Sequence, residues 1–153
     1  MARLMTGAAA ERFVAFNLRI LAVTFAIVGL LFIVTPDGTL GTLDDLGEWL
    51  PLGEFTPAPE TAEQLWLALG FAYMTVITGL CLLASMDVVR YRPLLLVLAA
   101  GKAASSLAAL GFYLFDTDVF AYLLNFLVDG FLVGVALFLY GLAGRAGEPA
   151  APV

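Results

Sequence analysis

The sequence predicts an all-α integral membrane protein: a four-helix transmembrane bundle with both termini cytoplasmic. Three observations predict it. Of 153 residues, 62% are hydrophobic and 13% charged, with a mean hydropathy of +0.99, whereas soluble domains are about half apolar and about a quarter charged. Four stretches reach the ~20 apolar residues that cross a bilayer, and none shows the ~10-residue alternation of a membrane barrel. The basic residues outside those stretches all fall on one side.

The first span runs from Phe13 to Val34, behind Arg3 and Arg12. Its core is too long for a signal-peptide h-region, and no A-x-A site precedes Thr35-Pro36-Asp37, so it reads as an anchor that stays. An outer loop follows, 35–61. Within it Thr42–Leu50 reads as a short amphipathic helix capped by Thr42, with Asp44 and Asp45 suiting the dipole of its first turn. Leu43, Leu46 and Leu50 share a face and, with Trp49, suit the membrane surface. Pro57 and Pro59 extend the chain, and Thr61-x-x-Gln64 is a capping box opening the second span, Ala62–Ser85. The third span is Pro93–Phe115 and the fourth Val119–Leu142, joined by the short Asp116–Asp118 turn. The tail, 147–153, reads as a frayed end. All 153 residues form one transmembrane domain.

Basic residues orient such a bundle. Arg3 and Arg12 precede the first span, Arg90 and Arg92 separate the second from the third, and Arg145 follows the fourth. The opposite loops hold no basic residue and carry Asp37, Asp44, Asp45, Glu48, Glu54, Glu60, Glu63, Asp116 and Asp118. Both termini are therefore expected in the cytoplasm, and the protein in the plasma (inner) membrane.

Three charges lie inside the spans: Arg19, Lys102 and Asp129. At about 1.5 Å per residue, Lys102 and Asp129 lie roughly 20 and 18 Å below the outer ends of their helices. The short turn makes these helices antiparallel neighbours, whose facing residues have position numbers of constant sum. Lys102 with Asp129 and Ser106 with Asn125 share one sum, and each pair is spaced i, i+4 on its own helix. A polar seam is expected: Lys102 and Ser106 against Asn125 and Asp129, with Ser105 nearby. Arg19 either snorkels to the cytoplasmic interface or turns inward toward Asp129. Ala22, Ala26 and Gly29 continue its face with small residues, which favours the inward direction. Tyr73 brings a hydroxyl to the same level. A cluster of all three charges would retain one positive charge, suited to an anionic or carboxylate-bearing lipophile. Gly130-x-x-x-Gly134 with Gly141, and Gly101 with Ser105, provide close-approach faces within the bundle or between copies.

Much chemistry is excluded. A net charge of −6 argues against nucleic acid as a partner. With no histidine and one cysteine there is no intrachain disulfide, no Cys/His zinc site and no histidine-ligated haem. No phosphate-binding glycine loop follows a strand, and no serine has a base for a triad. Cys81 sits in an apolar span and reads as inert packing. The expectation is a non-enzyme with no catalytic residue, no metal and no cofactor.

The Pro36-Asp37-Gly38 turn ending the first span, the outer loop and the tight last hairpin make the chain similar to small four-span bacterial membrane proteins of the DoxX-like kind, over most of its length. Better-known members of that group are subunits or partners of membrane oxidoreductase or redox-defence complexes. With no redox-active residue here, the resemblance implies an accessory or scaffold role, with the lipid bilayer, subunits of a membrane complex or further copies of the chain as partners. The alternative is a membrane-embedded binder or transporter of a lipophilic or anionic small molecule, using Lys102, Asp129 and Arg19 with Ser105, Ser106, Asn125 and Tyr73.

Overall fold

A computed structural model describes residues 7–51, 55–58 and 64–146. Five helices follow one another: α1 Gly7–Val34, α2 Pro36–Trp49, α3 Gln64–Met86, α4 Leu94–Phe115 and α5 Phe120–Ala146. All but α2 are long and apolar enough to cross a membrane, and they are the four expected spans. α1 begins at Gly7 rather than Phe13, and α5 runs to Ala146 rather than Leu142. Their extra turns carry Glu11, Arg12 and Arg145, which project the helices past the apolar stretch. Each spanning helix buries one stripe. On α1 it is Val14, Leu18, Ala22, Phe25 and Gly29, while Phe16, Val23 and Ile27 are exposed. An apolar face left open is what a helix in hydrocarbon presents.

α1 packs along α3 and α4 along α5; the two pairs meet at α1–α5 and more loosely at α3–α4. Gly29 allows the first contact: a Cβ there would lie 2.9 Å from Met74 Cβ. Gly7 and Ala146 lie side by side at one end, where a Cβ on Gly7 would be 3.3 Å from the Ala146 carbonyl oxygen. We call this the terminal end, and the other the α2 end. The core is not evenly distributed. Most of its large members, among them Leu18, Leu95, Leu98 and Leu139, lie in the terminal half, with Phe25 and Met74 beyond them. In the α2 half the buried positions are more mixed, with Lys102, Ser106 and Asp129 beside Phe25, Gly29, Met74, Ala109, Val119 and Phe120.

The α2 end differs from expectation. The helix starts at Pro36 rather than Thr42, because Pro at the first helical position lacks an N–H that would be unbonded there anyway. Thr42 does not cap: its hydroxyl donates to Gly38 O at 2.8 Å inside the helix. Asp44 is not a first-turn acid either; its Oδ2 accepts the Ala58 N–H at 3.0 Å. The apolar face is split, with Leu43 and Leu50 half-buried and Leu46 and Trp49 exposed. Gly47 rests on Phe120, where a Cβ would come within 2.8 Å of the ring. Phe55 stacks edge-on against the same ring at 5.1 Å, and the Thr56 hydroxyl donates to Asp118 Oδ1 at 2.7 Å. α2 thus bridges the ends of α1 and α5. The Thr61-x-x-Gln64 capping box, through Thr61, and the tail 147–153 lie outside the described residues.

Candidate functional site

Lys102 Nζ donates to Asp129 Oδ1 at 2.9 Å, and both side chains are almost fully buried. Lys102 stands near the middle of α4, and α5 returns antiparallel to set Asp129 at the same depth. The expected pair is present. Its neighbours are shifted by one residue. Asn125 Nδ2 donates to Ser105 Oγ at 3.2 Å, not to Ser106, and Ser106 Oγ donates to Phe126 O at 2.8 Å. Four residues overshoot a helical turn by about 40°, and on antiparallel helices the overshoots diverge, so Asn125 meets the residue three rather than four positions from Lys102. Gly130 accommodates Ser106, whose Oγ lies 3.2 Å from where its Cβ would be. Gly134 and Gly141 meet nothing within 4 Å and are exposed, so of the Gly130-x-x-x-Gly134 face only Gly130 makes a close approach within the bundle.

Arg19 does not join the cluster. It is exposed and makes no ion pair with a described residue. The buried stripe of α1 passes through Leu18 and Ala22, and the next residue after Leu18 is rotated away by about 100°. Ala22 and Gly29 are buried as the small-residue face implied, but Ala26 is exposed. The α1 residue that meets Lys102 is Phe25, whose ring centroid lies 4.7 Å from Nζ; Tyr73 presents its ring at 5.6 Å. Both rings attract the ammonium through their faces. The positive charge left over in a three-ion cluster is therefore absent, and the buried pair is neutral as a unit.

A cavity of about 350 Å³ opens above the pair, in the α2 half. All four spanning helices line it: Phe25 and Val28 from α1, Tyr73 from α3, Lys102 and Ser105 from α4, Asn125, Asp129 and Leu132 from α5. Its floor is polar and its walls are apolar. The Tyr73 hydroxyl is buried without a hydrogen-bond partner among the described residues, and an unmet buried hydroxyl costs about 1–3 kcal/mol. An ammonium has three donors, and Asp129 takes one. Exposed Thr24, Asn125 and Val128 form part of the lining. α1 and α5 touch at the terminal end and are bridged by α2 at the other, so these residues frame a sideways opening between them. Phe25, Val28 and Leu132 were not expected at the site; a void between helices leaves no periodic trace in sequence. Arg92, read only as a topological charge, has a structural role: its Nε donates to Tyr140 O at 3.0 Å and its guanidinium lies 3.8 Å over the Tyr140 ring.

Fold and site together define a helical membrane-type bundle with a polar-floored cavity in one half. No protein-family model matches the chain, and no curated protein or solved structure is significantly similar to it.

Proposed function

We propose that the chain is a non-enzymatic, membrane-embedded binding protein for a neutral lipophilic small molecule. The carrying observation is the 350 Å³ cavity floored by the buried Lys102–Asp129 pair and lined by Tyr73, whose buried hydroxyl has no hydrogen-bond partner among the described residues. Its volume falls in the range of ligand pockets, about 300–1,000 Å³, and it has their composition: apolar walls with a few convergent polar groups. The ligand is neutral because the pair is already balanced, and a charged head would add an uncompensated charge in hydrocarbon. A hydrogen-bond acceptor on the ligand meets donors at Lys102 Nζ and the Tyr73 hydroxyl. Transport across the bundle is less well supported: on the terminal side of the pair lie Leu18, Ile77, Leu95, Leu98 and Leu139, with no continuing polar file among them.

We place both termini in the cytoplasm and the protein in the plasma (inner) membrane. Arg12, Arg90, Arg92 and Arg145 gather at the terminal end, and Asp44, Asp45, Glu48, Asp116 and Asp118 at the α2 end, as the positive-inside rule asks. The cavity then lies in the outer half of the bilayer, with its side opening toward lipid.

The test is saturable binding of a radiolabelled monoacylglycerol to the protein in phosphatidylcholine nanodiscs. Wild type binds at one site. The double variant Lys102→Met, Asp129→Leu, which keeps the volume but removes the donors, binds at least tenfold more weakly. Equal uptake by both proteins and by empty nanodiscs contradicts the reading. A second reading, the accessory subunit of a membrane complex, is supported by the DoxX-like layout and by the exposed Trp49 and Leu46 of α2. Recovery of a partner at fixed stoichiometry from native membranes favours it.

A further inference from the structure

Arg19 is exposed on α1. At about 1.5 Å per residue it sits roughly 9 Å inside the apolar stretch that opens at Phe13. Its face of the helix is otherwise apolar here: Phe16 and Val23 are exposed, and Ala15 and Ala26 bring only methyl groups. Neighbouring α3 supplies no counter-charge either. The close approach of Gly29 to Met74 sets the antiparallel register of α1 and α3, which brings Leu83 and Ala84 to the depth of Arg19. The next residue, Ser85, is buried and donates its hydroxyl to Leu82 O at 2.8 Å. Among the described residues, no carboxylate forms an ion pair with Arg19.

A guanidinium in hydrocarbon is costly unless it snorkels, pairs or meets water. Here snorkelling has a built-in direction. Helical side chains lean toward the helix N-terminus, which for α1 is the terminal end, so Arg19 reaches toward the nearer interface. Arg12 lies on the same face, because seven residues fall only about 20° short of two full turns. It too is exposed and makes no ion pair with a described residue. Ala15, between the two, leaves the space over the helix open. The nearby acids are turned elsewhere: Glu11 is about 100° round the helix from Arg12, and Asp87 Oδ1 accepts the Arg90 N–H at 2.9 Å.

We propose that Arg12 and Arg19 form a binding site for the phosphodiester of an anionic phospholipid in the leaflet at the terminal end. Guanidinium forks match phosphate oxygens in pairs. Two of them carry more positive charge than one phosphodiester cancels. A zwitterionic lipid would add its own ammonium to that excess, whereas a lipid of net negative charge does not. The site lies on the lipid-facing side of α1 and stands independently of the cavity.

Brominated lipids and a single tryptophan test this. In a Trp49→Phe, Trp66→Phe background, which removes both native tryptophans, Val23→Trp sets a reporter one turn beyond Arg19 on its exposed face. Phe131→Trp sets a control at matching depth on α5, by the register that places Gly7 beside Ala146. Brominated phosphatidylglycerol and brominated phosphatidylcholine are compared as quenchers in mixed nanodiscs. Phosphatidylglycerol should be favoured about fivefold at Val23→Trp, as expected of an arginine beside anionic lipid, with no preference at the control. Arg19→Gln and Arg12→Gln, both at exposed positions outside the core, should each lower the preference. Equal quenching by the two lipids at Val23→Trp overturns the proposal. So does a preference of the same size at the control, or one that survives both substitutions together. If inorganic phosphate abolishes the preference and chloride at the same ionic strength does not, the ligand is a free anion and the lipid assignment falls.

Discussion

Lys102 Nζ lies 2.9 Å from Asp129 Oδ1, with both side chains nearly stripped of solvent. A charge so placed is tolerable only while its partner is present. Removing one member of a buried pair costs about 3–5 kcal/mol, whereas replacing both by apolar residues is often neutral. Asp129→Asn is therefore expected to lower stability in detergent by that amount, and Lys102→Met with Asp129→Leu to recover most of it. Thermal unfolding of the three proteins measures this. Equal stability of Asp129→Asn and wild type would show the lysine to have another partner.

Arg92 holds the terminal end of the α4–α5 hairpin. Its guanidinium fills the space over Gly144, where a Cβ would lie 2.7 Å from Arg92 Cζ. Gly144→Leu is expected to expel the guanidinium. Arg92→Ala should cost about 1–2 kcal/mol, from a charged hydrogen bond and a cation–π contact. Arg92→Lys should restore little of it, because an ammonium cannot stack flat on Tyr140 while donating to its carbonyl. Unfolding in graded denaturant compares the variants.

Gly47 is the hinge plate of α2. Gly47→Leu must push Phe120 aside and lift the helix from α5. Amide exchange in α2 should then accelerate at least tenfold, while exchange in α3 at Ile77 and Cys81 stays slow. Acceleration spread over all five helices would show that α2 holds the bundle together rather than resting on it.

Orientation is open to chemical labelling. Cys81 is buried, so added cysteines are read without its interference. In intact cells a membrane-impermeant maleimide should label Glu48→Cys at once and Arg90→Cys only after permeabilisation. The reverse order would invert the bundle and place the cavity in the inner leaflet.

The residues show why some of this was readable in sequence. Apolar length marks the spans, since hydrocarbon demands it at every turn. The short turn between α4 and α5 fixes their register, so Lys102 and Asp129 pair by position alone. Register does not fix rotation about the helix axes, which is why Asn125 takes Ser105 rather than Ser106. Arg19 misled through its small neighbours: Ala22 and Gly29 do face inward, but a residue at the stripe's edge turns to the outside. Pro36-Asp37-Gly38 reads equally as a turn and as a helix start, so the sequence does not reveal that α2 begins at Pro36 rather than Thr42. The cavity was not legible, since a void arises from how far packed helices diverge and leaves no periodic trace in sequence.

The most direct measurement is native mass spectrometry of the protein released from its own membranes in mild detergent, with wild type beside Tyr73→Phe and the Lys102→Met, Asp129→Leu double variant. A single neutral lipophile retained by wild type and lost or strongly depleted in both variants is the predicted result. Wild type flying bare, or all three carrying the same adducts in the same proportion, would contradict the account.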